Sequence, residues 1–210
     1  MSSWYNNNEI YFSVDIEAGG PIPLRHKLMS IGAVVYNSEL EQLGTFYETI
    51  DDETGLMFND TVTEFWEKQP EAWNEVNTGT IPVGDAIGKF DLFCRRFDGK
   101  RRFVAKPTWF DYSWIRAYML HYTGSDPFEM RVCDYAQHAY ALNIKLKNVK
   151  NEFPHHALWD AMKQGEQFVD FMKRARKKRQ DLYHSHTTIH NQRLELMELR
   201  GKFRAARKGK

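Results

Sequence analysis

Two carboxylates one residue apart, Asp15 and Glu17, close the aromatic and β-branched run Tyr11-Phe12-Ser13-Val14. That run suits a buried strand. Side chains two apart on a strand share a face, so both acids point the same way at the strand's end. Like charges held together repel and raise each other's pKa. A divalent cation removes that cost, and clustered hard oxygens are what Mg²⁺ or Mn²⁺ prefer. Gly19-Gly20-Pro21 ends the strand and lets the backbone come close to a ligand. Two further acids stand at element ends: Asp111 just past a strand over 102–107, and Asp160 early in the last strong helix, near His155-His156. Each has an ordinary explanation as well. Asp15 and Glu17 could be solvated, Asp111 could cap a helix, and Asp160 could favour a helix dipole. Taken together, the four lie at three element ends with a histidine pair beside the last. Residues four apart share a helix face, which on helix geometry alone makes His156 the partner of Asp160.

The elements that must position these residues follow from periodicity. Strands are expected at 28–36 and 43–50, joined to the first by short links, which reads as an antiparallel meander. Thr61-Val62-Thr63-Glu64 is a capping-box pattern ahead of a short helix to about Pro70. A loop over 77–82 precedes an amphipathic helix over 83–97, with Ala86, Ile87, Phe90, Phe93, Cys94 and Phe97 on its apolar face. A fourth strand at 102–107, a helix at 111–122, a fifth strand at 130–133 and a helix capped by Asp134 come next. A basic loop over 143–154 leads to the last helix, 155 to about 178. Three meander strands followed by alternating strands and helices imply a mixed α/β sheet flanked by helices.

With 210 residues and 42% apolar residues, the chain can bury one sizeable core, with room for an appendage. Net charge is +1, but it is unevenly placed. From Arg174 onward there are twelve Lys/Arg and three acids, so the tail is about +9 and the body about −8. Residues 1–175 therefore read as the domain and 176–210 as a basic tail, helical or disordered. In that tail Ile189, Leu196 and Phe203 recur every seven residues with Leu199 between, which permits an amphipathic helix. His184, His186 and His190 sit in a polar setting without a cysteine partner and are not taken as ligands. Cys94 and Cys133 have no metal or disulfide spacing, so a reduced cytoplasmic setting is expected. The polar N-terminus does not read as a signal peptide, and no apolar run approaches membrane-spanning length, so no membrane role is expected.

At this point the chain resembles the DEDDh 3′–5′ exonucleases, which include polymerase proofreading exonucleases, RNase T and oligoribonuclease. Val14-Asp15-Ile16-Glu17 is similar to the first motif, Asp111 before an aromatic-rich helix to the second, and His155-x-Ala157-x-x-Asp160-Ala161 to the third. The second motif lacks the His-Asn lead-in of many relatives. A phage and bacterial exoribonuclease-like branch is similar in more places, at Pro107-x-x-Phe110-Asp111 and Phe65-Trp66-x-x-Gln69-Pro70. The resemblance covers about residues 8 to 175. It implies a ribonuclease H-like fold with a five-stranded mixed sheet. It also implies a two-metal phosphodiester hydrolase using Mg²⁺ or Mn²⁺ on Asp15, Glu17, Asp111 and Asp160. In relatives the first acid bridges both ions, and the second and last hold the ion that binds the attacking water. The position that matches the family's general base is His155, five before the last aspartate on a loop. Products would be 5′-mononucleotides from single-stranded RNA or DNA 3′ ends.

By the same resemblance the backbone at Ala18, Gly19 and Gly20 approaches the terminal 3′-hydroxyl. Leu24, Met29, Trp66, Trp109 and Phe110 would stack on or wedge against bases, with core packing as the alternative for each. The Lys145-Leu146-Lys147-x-x-Lys150 loop and the basic tail would draw a polyanion to an acidic body. The rival readings are a nucleic-acid-end-binding module with little catalysis, and a subunit that docks a homo-oligomer or protein partner through the tail.

Overall fold

The computed structural model describes residues 8–58 and 64–208, with side chains as far as Arg200. The strands are β1 (Glu9–Ala18), β2 (Leu28–Tyr36), β3 (Gln42–Asp51), β4 (Ile81–Pro82), β5 (Lys100–Ala105) and β6 (Val132–Asp134). The helices are α1 (Pro70–Val76), α2 (Val83–Arg95), α3 (Thr108–Thr123), α4 (Tyr135–Ala141) and α5 (Ala157–Lys208). The sheet order is β4-β3-β2-β1-β5-β6. β1, β2 and β3 form the expected antiparallel meander, while β5 runs parallel to β1, β6 to β5, and β4 to β3.

The sheet has six strands where five were expected. The extra one, β4, lies in the segment read as a loop over 77–82. Two residues are too short to show a period, and the edge position suits Pro82, which has no N–H to give a ladder. Pro70 was expected to end a helix; it opens α1 instead, at a position where a missing N–H costs nothing. A helical turn does occur at 64–67. The start of the capping-box pattern, Thr61 to Thr63, lies outside the described residues. Asp134 caps α4 as expected, accepting from the backbone N–H groups of Ala136 and Gln137 at 3.1 Å each.

Alternation along β1 decides where the acids go. Ile10, Phe12, Val14 and Ile16 pack with residues of α2 and α3, such as Phe90 and Trp114. Tyr11 faces the other way, its ring 5.0 Å from that of Phe168 on α5. Ser13 is on that second face too, and its Oγ donates to the carbonyl of Ala161 at 2.8 Å. Asp15 and Glu17 continue the same odd-numbered set, so they are delivered to the face that carries α5. All nine residues of β2 are buried, because this strand is covered on both faces.

The start of α5 lies almost on β2. A Cβ at Gly32 would stand 2.2 to 2.3 Å from backbone atoms of Ala157 and Leu158. Gly32 is paired with Asp15 across the two strands. Glycine at this position therefore sets the distance between Asp15 and the turn carrying His155 and Asp160. Gly32→Ala is expected to force α5 outward, lower Tm, and cost activity beyond what the stability loss explains. Overpacking of this kind costs about 1–3 kcal/mol, and backbone cannot yield as a side-chain tip can. Calorimetry and a nuclease assay on the same preparation check it; wild-type values for both would show that α5 is free to shift.

The last strong helix was expected to reach about Lys178 with a helical or disordered tail beyond it; the tail is helical, and α5 runs on to Lys208. Among the described side chains, Phe168 and Phe171 are the last of α5 to be buried. From Lys177 to Arg200 every residue is exposed, including Leu182, Ile189, Leu196 and Leu199. Among the described residues, no helix is long and apolar enough to cross a membrane.

Candidate active site

Asp15 and Glu17 stand at the C-terminal end of β1, where the register with β2 shifts between Glu17 and Ala18. Such an irregularity bends the strand and re-aims its last side chains. Asp160 lies in the first turn of α5. One carboxylate oxygen from each of Asp15, Glu17 and Asp160 falls within 4.8 Å of the others. Asp111 is not a helix cap: α3 begins at Thr108, so Asp111 sits inside its first turn. It is only 5% exposed, and its carboxylate accepts from the Ile16 N–H at 3.2 Å, between the two acids of β1. It is outside the group of three whose oxygens converge, yet close enough to raise the pKa of both Asp15 and Glu17.

The electrostatics are those of buried carboxylates that repel one another. Burial first, and then Asp111, Glu17 and Asp160, hold the Asp15 carboxyl well above the usual carboxylate range. Burial and the neighbouring Asp160 and Asp111 push Glu17 up to about 8. Burial pushes Asp111 up to about 7, against the pull of its bond to Ile16. Three converging oxygens with no cationic side chain among them fit a hard divalent ion.

The two histidines take different places. α5 starts only at Ala157, so both precede it. His156 provides the carbonyl that accepts from the Asp160 N–H at 3.0 Å. Its ring is buried, stacked on Tyr47 at 4.3 Å, with Nε2 3.5 Å from Glu75. Burial lowers its pKa, opposed by Glu75. His155 is on the turn outside the helix, at φ +62°, a left-handed conformation rare for a residue with a Cβ. Its N–H donates to Asp160 Oδ2 at 2.9 Å, and its half-buried ring meets Phe65 edge-on at 4.8 Å. His156 therefore stands just before the helix and not on one of its faces.

Two polar residues of this site are not evident from the motifs. Asn151 Nδ2 donates to Asp160 Oδ1 at 2.8 Å, so both oxygens of Asp160 are held from the preceding loop. Gln164 Nε2 donates to Asp15 Oδ1 at 2.6 Å. The available signal for Gln164 was its spacing, one helical turn beyond Asp160.

The substrate-contact residues divide by exposure. Trp109 is 71% exposed on the first turn of α3, two residues before Asp111, and Leu24 is exposed at φ +62°. Phe110 is half-buried against the main core. Met29 and Trp66 are buried in a small separate core with Ala72 and Val76, so packing accounts for both. Ala18 is half-buried, and Gly19 and Gly20 are buried. The two glycines are tied into a compact loop: Gly19 N–H donates to the Lys27 carbonyl at 2.8 Å and its own carbonyl accepts from Phe58 at 2.6 Å. A Cβ on Gly20 would meet His26 and Phe58 at 2.5 Å.

Residues 11–172 match the family model of the Rv2179c-like 3′-5′ exoribonuclease domain. The chain belongs to this family. The match takes in β1, α3 and the start of α5, the three elements that carry the acids. Among curated proteins, the 3′-5′ DNA exonuclease Cap18 of Escherichia coli is 25% identical over 190 residues, 83% of this chain and 98% of Cap18. The fold is that of solved DEDDh-type exonucleases. E. coli exonuclease I, in a zinc-bound complex with single-stranded DNA, superposes with a TM-score of 0.60 at 14% identity over 84% of this chain. That match covers 42% of exonuclease I, so the chain spans less than half of that relative. The nuclease domain of 3′hExo, a DEDDh family member bound to rAMP, gives 0.53 at 14% identity, covering 82% of this chain and 94% of that domain.

Proposed function

We propose that the chain is a metal-dependent 3′–5′ exonuclease that hydrolyses the terminal phosphodiester bond of single-stranded RNA or DNA and releases 5′-mononucleotides. The convergence of Asp15, Glu17 and Asp160 within 4.8 Å, on elements shared with an exonuclease family, carries this reading. Asp15, Glu17, Asp111 and Asp160 would hold two Mg²⁺ or Mn²⁺ ions. When bound, such ions neutralise phosphate charge and activate water for in-line displacement. His155 takes the proton of the attacking water at a ring nitrogen, as a general base does. Its turn presents it beside Asp160 without burying the ring, whereas the ring of His156 is committed to Tyr47 and Glu75. The loop of Ala18, Gly19 and Gly20 borders the terminal nucleotide, and the exposed side chains of Trp109 and Leu24 meet bases. A panel of single- and double-stranded RNA and DNA, incubated with Mn²⁺ or Mg²⁺ and analysed for mononucleotides, tests the reading. No mononucleotide from any member would refute it.

Residues 1–175 form the catalytic domain in this account and 176–210 a tail that binds nucleic acid rather than performs chemistry. Its support is the charge division: about +9 from Arg174 onward against about −8 before it. Neutralising phosphates releases counterions, so log K falls with log salt in proportion to the contacts made. Removing residues 176–210 is expected to weaken oligonucleotide binding, flatten the salt dependence and leave turnover at saturation nearly unchanged. Binding titrations at several salt concentrations check this. The exposed Leu182, Ile189, Leu196 and Leu199 favour a second use of the same helix, docking on a partner chain or another copy. An unchanged salt slope, with a fall in molecular mass beyond the deleted residues, would favour that use.

A further inference from the structure

Gln164 has an arrangement that packing does not explain. It is 9% exposed on the inner face of α5, and its Nε2 donates to Asp15 Oδ1 at 2.6 Å. Its other amide atom, Oε1, is buried with no hydrogen-bond partner among the described residues. A buried acceptor without a donor is costly, and native proteins keep few of them. An apolar side chain of similar length would fill the same space without that cost. The helix also places Gln164 one turn after Asp160, so a single rigid element carries a converging acid and the amide that grips the acid opposite.

We propose that Gln164 is a positioning residue for the acidic site: its amide N–H fixes the rotation of the Asp15 carboxylate and so decides which oxygens that acid offers to a divalent cation. The idea rests on the reading of Asp15, Glu17 and Asp160 as a cation site. Groups that orient a ligand typically matter 10–100-fold for metal affinity or activity. Asp15 is the acid with most need of such a hold. It comes from the middle of the sheet, and Gln164 is its one side-chain hydrogen-bond donor among the described residues. The unpaired Oε1 fits a residue retained for the site at the expense of the fold.

The test separates site from fold. Gln164→Met keeps the length and removes both polar atoms; Gln164→Asn keeps the amide but is too short to reach Asp15. Mn²⁺ affinity is measured by titration calorimetry on the protein alone, kcat and KM on a single-stranded oligonucleotide, and Tm in EDTA. The expected result is a 10–100-fold loss of Mn²⁺ affinity in both variants, a similar loss of kcat at sub-saturating Mn²⁺, and KM within about twofold. Tm in EDTA is expected to be unchanged or higher for Gln164→Met, because the orphaned acceptor is gone. Wild-type Mn²⁺ affinity in either folded variant overturns the proposal. So does a large fall of Tm in both, which would make Gln164 a packing residue. If the wild-type protein binds Mn²⁺ but cuts no oligonucleotide, the exonuclease reading fails while the calorimetry still decides the role of Gln164.

Discussion

Asp15→Asn is expected to reduce exonuclease turnover by more than about 10³-fold and, at the same time, to stabilise the metal-free protein. The first effect follows if Asp15 holds cations, since fixed charge at the reacting phosphate is usually the largest single contribution to catalysis. The second follows from the raised pKa values. A carboxyl whose pKa is higher in the folded than in the unfolded protein binds its proton more tightly when folded. Its stabilising effect is therefore complete below the unfolded pKa and is lost as pH rises through the folded one. Glu17 goes from an ordinary 4.5 up to about 8, and Asp111 from 3.8 up to about 7. In EDTA, Tm should therefore fall between about pH 4 and about pH 8. Mn²⁺ should restore it, most strongly at the upper end, where the ligands no longer have to lose protons first. Asn at position 15 removes one repelling charge, so its Tm advantage in EDTA should grow over the same window. Thermal melts at several pH values with and without Mn²⁺ check this. A metal-free Tm that is flat with pH would mean the acids do not repel one another as their geometry implies.

His155→Ala is expected to lower turnover by about 10²–10⁴, the usual range for a lost general base, with little change in Tm. His156→Ala should do the opposite. It removes a buried ring stacked on Tyr47 and is expected to cost about 1–3 kcal/mol of stability, leaving most of the turnover of the folded fraction. Single-turnover rates at saturating Mn²⁺, beside thermal melts of both variants, separate the two. A fully active His155→Ala with an inactive, well-folded His156→Ala would reverse the assignment.

Much of this arrangement is legible in the amino-acid sequence. Period-two alternation in Tyr11 to Glu17 is enough to put both acids on one face, because a strand has only two faces. The Asp134 cap is legible because a capping aspartate acts on its own neighbours. What stays hidden depends on contacts distant in sequence or on elements too short to have a period. β4 is two residues long and exists as an edge of β3. Pro70 is equally suited to follow a helix or to open one. Asp111 reads as a helix cap, but α3 begins three residues earlier, at Thr108, with Pro107 at the cap position. Gln164, a neutral amide among Met162, Lys163 and Gly165, belongs to no motif, and only the packing of α5 on β1 brings it to Asp15. The tail reads as helical or disordered, and α5 continues through it; its residues from Lys177 to Arg200 are exposed, so no buried apolar stripe marks how far the helix runs.

Whether Asp15, Glu17 and their partners remove nucleotides from a 3′ end can be read from a 5′-labelled single-stranded oligonucleotide, its 3′ end either free or closed by a nuclease-resistant linkage, incubated with Mn²⁺ and either wild-type protein or Asp15→Asn. The expected result is stepwise shortening of the free-ended strand with release of 5′-mononucleotides, protection of the closed strand, and no shortening by Asp15→Asn. Cleavage of the closed strand at internal positions, or equal shortening by Asp15→Asn and wild type, would show that these acids do not work as a 3′-end exonuclease site.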